Sequence, residues 1–228
     1  HYDETEALKY TLFSKISFCT EQSISSWSCG DMCERVPVTS KDKVRFIPEG
    51  KFYQVQGFVA QIPTQEDSTK CVVSFRGSNG GKFMNWVANL SYVLSKWPLG
   101  KPAGVEWCKG CKVHNGWARA YAELRGQVYD AVEDLGCTSL VVTGHSLGSA
   151  VATIASFDLR MSKKKYHVEA TWAFGMPRVG NRAFVDAFEK AAAKQGVVPA
   201  IWRVIHYHDP VPRLPQFIWP TSFVHGGL

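Results

Sequence analysis

The sequence predicts an α/β domain, a mostly parallel central sheet with helices on both faces, and three observations carry that expectation. Strand-like runs at Lys70–Phe75, Leu140–Thr143 and Val168–Phe174 alternate with helical patterns, the arrangement that returns the chain to one sheet edge through helical crossovers. The run Leu140-Val141-Val142-Thr143 is apolar and β-branched throughout, as a strand covered on both faces requires. The corner after it, Gly144-His145-Ser146-Leu147-Gly148, leads into a helix beginning near Ser149. Small residues there (Ala150, Ala152, Ala155) let that helix lie close to the sheet. At 228 residues, with 13% aromatic and 20% charged residues, the chain fits one folded domain with a sizeable core.

In chain order, Glu4–Cys19 shows helical spacing through Leu8, Leu12 and Ile16, with Tyr10 and Phe13 beside them. A Gly/Ser-rich loop carries Cys29 and Cys33. Strands are expected at Val44–Ile47, Lys51–Ala60 and Lys70–Phe75, parted by Pro48-Glu49-Gly50 and the polar run Pro63–Thr69. The last of these exits through Arg76-Gly77-Ser78-Asn79-Gly80-Gly81; no G-K-[ST] follows, so a phosphate-cradling loop is not indicated. Next, Phe83, Trp86, Val87 and Leu90 fall at i, i+3, i+4 and i+7 and make one apolar face. Such a face suits an ordinary packed helix or a lid hinged at Gly80-Gly81 that turns toward lipid. Asn89-Leu90-Ser91 is a glycosylation sequon. An amphipathic helix from Trp117 to Leu135, a helix over Asn181–Gln195 and a strand Ala200–Tyr207 complete the series, with no internal repeat and no linker.

Composition narrows the function classes. Net charge is +6 with basic residues scattered apart from Lys163-Lys164-Lys165, a poor pattern for nucleic acid. No apolar run has the ~18 residues of a membrane span, and His1-Tyr2-Asp3-Glu4 reads as the start of a processed chain. Of seven cysteines, Cys29/Cys33 and Cys108/Cys111 lie in loops at disulfide-staple spacing, which indicates an oxidising, extracellular destination. A zinc site made from all four lacks a knuckle or helix context, and a redox C-x-x-C lacks a helix start at Cys108. Cys71, within a strand, is expected as a buried free thiol; Cys19 and Cys137 have no local partner.

The corner at Ser146 has the pattern G-x-S-x-G between a strand and a helix, a nucleophile elbow. The serine would occupy a strained turn above the sheet edge, with the helix N-terminal amides beside it for a developing oxyanion. Leu147 N–H is one expected donor, and Ser78, through its hydroxyl or amide, the other. A serine needs a histidine base and an acid to orient it, in the order Ser, Asp/Glu, His in α/β hydrolases. Asp209 follows Ser146 and ends an apolar strand; its rivals Asp158 and Asp186 fall in helices and read as surface or capping carboxylates. Only His225 follows Asp209. His206 and His208 precede it on one face of a strand, His114 and His145 read as supporting residues, and His1 and His167 as exposed. His206, His208, Asp209 and His225 are also a candidate metal set, but that reading leaves the elbow without a role, so no metal and no cofactor is expected.

These motifs resemble the fungal-type secreted lipases, the class 3 lipase family, which also contains feruloyl esterases. The similarity runs from about Cys19 to the end. VVSFRGS followed by NWVANL looks like the family's oxyanion loop and lid, and CKGCKVHNGW like its small disulfide followed by V-H-x-G-[FY]. VVTGHSLGSAVATIASFDLR, FGMPRVGNRAF and VIHYHDPVPRLP match its elbow, its P-R-V-G-N turn and its acid loop. The resemblance implies an α/β-hydrolase fold, Ser146 as nucleophile, Asp209 as acid, Ser78 and Leu147 as oxyanion hole, and Phe83, Trp86, Val87 and Leu90 as lid or substrate residues. Ser149 stands where glycine is commoner, and the loop from Ser78 to Asn85 is longer than in the fungal lipases. In the family a segment like Phe223-Val224-His225-Gly226-Gly227 is not catalytic. The histidine lies further on, and the cysteine matching Cys19 pairs near that end. The resemblance therefore implies a single domain, 1–228, lacking its C-terminal portion, with the catalytic histidine beyond Leu228 and His225 the lesser candidate. The expected function is a secreted, monomeric triacylglycerol lipase working at a lipid–water interface. A feruloyl-type or soluble carboxylesterase, or an inactive lipid-binding relative, are the alternatives.

Overall fold

The computed structural model describes residues 1–64, 69–77, 93–97, 108–162, 166–215 and 223–226. Among the described residues, six strands form one sheet in the order β1 (Val44–Ile47), β2 (Gly57–Gln61), β3 (Lys70–Phe75), β6 (Ser139–His145), β7 (His167–Phe174) and β8 (Trp202–Val204). β1, β2 and β3 pair antiparallel, whereas β3, β6, β7 and β8 are parallel. A separate pair joins β4 (Leu94–Lys96) to β5 (Lys112–His114). This is the mostly parallel sheet that alternating strands and helices led one to expect.

Helices cover both faces. On one, α1 (Glu4–Ile16), α2 (Glu21–Ser25) and α3 (Asp31–Arg35) enclose an aromatic cluster that includes Tyr10, Phe13, Trp27, Phe58 and Trp172. On the other, α4 (Asn115–Asp134), α5 (Leu147–Met161) and α6 (Arg182–Ala193) bury the larger core. α1 begins where the Asp3 carboxylate accepts from the Thr5 and Glu6 amides at 2.8 and 3.1 Å, a side-chain N-cap. Its buried face runs through Ala7, Tyr10, Phe13, Ser14 and Ile16, and Leu8 is 54% exposed. The face turns toward the aromatics because Tyr10 stacks on Trp172 at 5.9 Å and Phe13 meets Trp27 at 6.1 Å, and rings bury more area than a leucine.

Three expectations are corrected. The strand foreseen at Lys51–Ala60 starts only at Gly57. Before it, Gln54 has φ +51 and donates back to the Gly50 carbonyl, forming a turn whose Phe52 and Tyr53 amides are taken by Glu123 of α4. Secondly, Cys71 is not a free thiol but is bonded to Cys137, with 5.8 Å between Cα atoms. Parallel register causes this: Lys70 lies opposite Ser139, so the start of β3 meets the approach to β6. Cys29–Cys33 and Cys108–Cys111 are also bonded, and Cys19 is the free cysteine among the described residues. Thirdly, β8 stops at Val204 rather than running to Tyr207, and His206 and His208 lie exposed in the loop beyond it instead of sharing a strand face. No helix among the described residues is long and apolar enough to cross a membrane.

Candidate active site

β6 is interior along its whole length until His145, where it reaches the carboxyl edge of the sheet. α5 starts two residues later, at Leu147 rather than near Ser149. Ser146 makes the corner at φ +54, ψ −125, a left-handed conformation that costs a non-glycine residue of order 1–3 kcal/mol. Close approach on either side demands glycine. A Cβ on Gly144 would fall 2.4 Å from the Gly148 carbonyl oxygen, and one on Gly148 would fall 2.3 Å from that of Phe75. The Ser146 amide donates to the Phe174 carbonyl of β7 at 2.9 Å, which fixes the corner across strands. Ser149, the residue where glycine is commoner, fits because its hydroxyl donates to the Ser146 carbonyl at 2.5 Å.

The Ser146 hydroxyl is left over. The residue is 3% exposed, and its Oγ has no hydrogen-bond partner among the described residues. The first α5 amides bonded back to the corner are those of Ser149 and Ala150, to the Ser146 carbonyl, so the amides of Leu147 and Gly148 stand at the open helix end beside Oγ. A buried hydroxyl with no partner among the described residues, at a helix N-terminus, is arranged for a reactant rather than for stability.

Asp209 reaches the same edge from the loop after β8. Its Oδ1 accepts from the Val211 amide at 2.9 Å. Its other oxygen lies over Gly175, φ +57, where a Cβ would come within 2.6 Å of Oδ2 and 3.7 Å of His145 Nε2. Only glycine at that β7 exit admits the carboxylate. Loss of solvation lowers the His145 pKa below the usual imidazole value, while the Asp209 charge acts in the opposite direction. His145 also borders a groove of about 580 Å³ with Thr11, Ser14, Lys15, Phe18, Met32 and Phe174.

The other candidates have different engagements. Asp158, read from sequence as a surface or capping carboxylate, is fully buried and bonded to Tyr121 and Arg125. Asp186 pairs with Arg182 at 3.6 Å on the surface of α6. His114 caps α4, its Nδ1 accepting from the Gly116 and Trp117 amides at 3.1 and 3.4 Å. His225 donates from Nε2 to the Pro212 carbonyl at 2.6 Å, and its buried Nδ1 has no partner among the described residues. It is bonded to neither Asp209 nor Ser146. Ser78, Phe83, Trp86, Val87, Leu90 and the Asn89 sequon lie outside the described residues.

Burial, with a smaller contribution from the Arg203 and Arg178 charges, pulls the His225 pKa from 6.5 down to about 4, against the opposing Pro212 bond. A histidine depressed in the folded state favours folding while neutral, so its contribution is intact above 6.5 and is lost as pH falls toward 4. The NMR titration of His225 should therefore lie well below 6.5, and His225→Gln should flatten the stability slope across that window. A His225 midpoint near 6.5 would contradict this placement.

Residues 72–219 match the family described as lipase (class 3). The chain belongs to the class 3 lipase family. It is 34% identical over 184 residues to secreted mono- and diacylglycerol lipase 1 of Fusarium solani, covering 75% of this chain and 49% of that protein. To secreted mono- and diacylglycerol lipase A of Penicillium cyclopium it is 30% identical over 197 residues, covering 85% and 57%. A solved triacylglycerol lipase whose catalytic centre is formed by a serine protease triad superposes with TM-score 0.71 and 26% identity, over 98% of this chain and 78% of that one. The chain thus spans about half the length of the curated lipases it matches. The family match includes Ser146 and Asp209 and stops short of His225.

Proposed function

We propose that this class 3 lipase chain is a secreted serine ester hydrolase of acylglycerols, working as a monomer at a lipid–water interface with no metal or cofactor. The observation that carries the reading is the Ser146 hydroxyl, buried without a partner among the described residues at a corner with φ +54. Ser146 Oγ attacks the ester carbonyl carbon while its proton passes to a histidine base oriented by Asp209. The oxyanion is received by the Leu147 amide and Ser78. Collapse expels the glycerol oxygen, which takes the proton from the imidazolium, and leaves an acyl-Ser146 ester. Water, deprotonated by the same histidine, then releases the fatty acid and frees the serine.

The base is proposed to be a histidine beyond Leu228 rather than His225. His225 is engaged by Pro212 and held neutral, and the chain spans only part of its curated relatives. Triacylglycerol is the proposed preferred substrate, with Phe83, Trp86, Val87 and Leu90 as an apolar lid. Partial glycerides are the second reading, favoured by the two mono- and diacylglycerol lipases among the relatives. Rates on tri-, di- and monoolein and on methyl ferulate, above and below substrate solubility, decide between them. A rate jump at the triolein interface, lost when the four apolar residues become serine, supports the lipase with a lid. Turnover confined to diolein and monoolein dispersions supports the second reading, and turnover of methyl ferulate alone would overturn both.

A further inference from the structure

The exit of β3 carries a guanidinium that the reaction scheme above does not use. Arg76 is 6% exposed. Its Nη2 donates to the Gln54 carbonyl at 2.7 Å and is ion-paired with Glu49, and the Arg76 amide donates to the Gln56 carbonyl at 2.9 Å. The turn that supplies these partners is held in turn by α4, through Glu123 on the amides of Phe52 and Tyr53 at 3.2 and 3.3 Å. An ion pair of this kind is a weak source of stability, because one partly exposed carboxylate does little to offset the desolvation of a buried guanidinium. The polar side chain therefore needs another explanation, and the far side of its backbone provides one. A Cβ on Gly148 would fall 2.7 Å from the Arg76 carbonyl carbon, and a Cβ on Gly77 would fall 2.5 Å from the His145 carbonyl oxygen and 3.3 Å from Ser146 Cβ. The backbone at Arg76 and Gly77 is the wall against which the elbow rests.

We propose that Arg76, clamped by Glu49 and the Gln54 carbonyl, is a positioning residue for acyl transfer: it fixes the end of β3 against the Ser146 elbow. This rests on the ester-hydrolase reading of Ser146. Oxyanion donors must be held to within about 0.5 Å, and a misplacement of about 1 Å costs on the order of 10²-fold in rate. A strand end fastened by a buried, rigid guanidinium whose Nη2 bonds two acceptors meets that demand. Lysine also places one nitrogen on a cationic head, but on a flexible stem without the rigid planar group, so it should substitute only in part.

The test compares Arg76→Gln, Arg76→Lys and Glu49→Gln in the native protein by steady-state kinetics on a soluble short-chain ester and by amide hydrogen exchange. Arg76→Gln should lower kcat at least tenfold with KM within threefold. It should speed exchange of the amide at position 76 at least tenfold while that of Val142 in β6 is unchanged. Arg76→Lys should recover only part of the loss, and Glu49→Gln should show a smaller effect of the same kind. Unchanged kcat, full rescue by lysine, or exchange that accelerates equally at Val142 would overturn the clamp. A wild-type protein that hydrolyses esters in a manner insensitive to Ser146→Ala would instead overturn the hydrolase reading, and the catalytic role of the clamp with it.

Discussion

Ser146→Ala should abolish ester turnover while leaving the protein as stable as before or more so. Loss of a catalytic serine lowers kcat by on the order of 10⁴–10⁶-fold, because the remaining groups then act only through binding and oxyanion stabilisation. Stability should move the other way. The hydroxyl removed is buried and has no partner among the described residues, and an unsatisfied buried polar group costs about 1–3 kcal/mol. Each kcal/mol gained raises Tm by about 2–4 °C in a chain of this size. Ser146→Gly adds a second effect in the same direction, since φ +54 suits glycine. A serine kept for structural reasons would show the reverse: modest loss of activity and a lower melting temperature.

The second large effect is on folding. Asp158 is fully buried in α5 and accepts from Tyr121 Oη at 2.7 Å, Arg125 Nε at 2.7 Å and Arg125 Nη2 at 3.2 Å. Burial of Tyr121, with Asp158 beside it, pushes the phenol far above its usual pKa, so it stays protonated and donates. Asp158→Ala strands that hydroxyl in the core and sends the half-exposed Arg125 back to solvent. Removing one partner from a buried charge network costs about 3–5 kcal/mol, so Tm should fall by about 10 °C. Asp158→Leu combined with Tyr121→Phe should recover much of the loss, because an apolar pair leaves no buried group unsatisfied. Chemical denaturation of the single and double variants checks this. A loss under about 1 kcal/mol for Asp158→Ala, or no recovery in the pair, would contradict it. Well below the transition, kcat should be nearly unchanged, since the network joins α4 to α5 away from Ser146.

What was legible in the sequence was local. The elbow declares itself in five residues because strand, corner and helix follow one another, and the glycines on either side of Ser146 are required by contacts between elements that meet at that point. Asp209 is singled out by chain order, and one of the reasons for choosing it is corrected by the structure. It does not end a strand, since β8 stops at Val204, and it is placed by a loop that folds over Gly175. The Cys71–Cys137 bond joins residues 66 apart, the Asp158–Tyr121 bond 37 apart, and the Arg76–Glu49 pair 27 apart. Those contacts come from strand register and helix packing, which no local spacing encodes. Asp158 was misread for the same reason: a carboxylate inside a helical pattern looks solvated until its partners on the neighbouring helix are known. A signal did exist in Tyr121, Arg125 and Tyr129, which sit at helical spacing on one face of α4, but it names a face and not the acid that meets it.

The most direct test of the central claim is mass analysis of the native protein after a serine-directed alkyl phosphonate, with peptide mapping and Ser146→Ala as control. A single adduct on the peptide containing Ser146, formed as ester turnover is lost and absent from the alanine variant, is the predicted result. Turnover that survives with Ser146 unmodified, or an adduct that persists in Ser146→Ala as activity disappears, would place the nucleophile elsewhere and contradict the account.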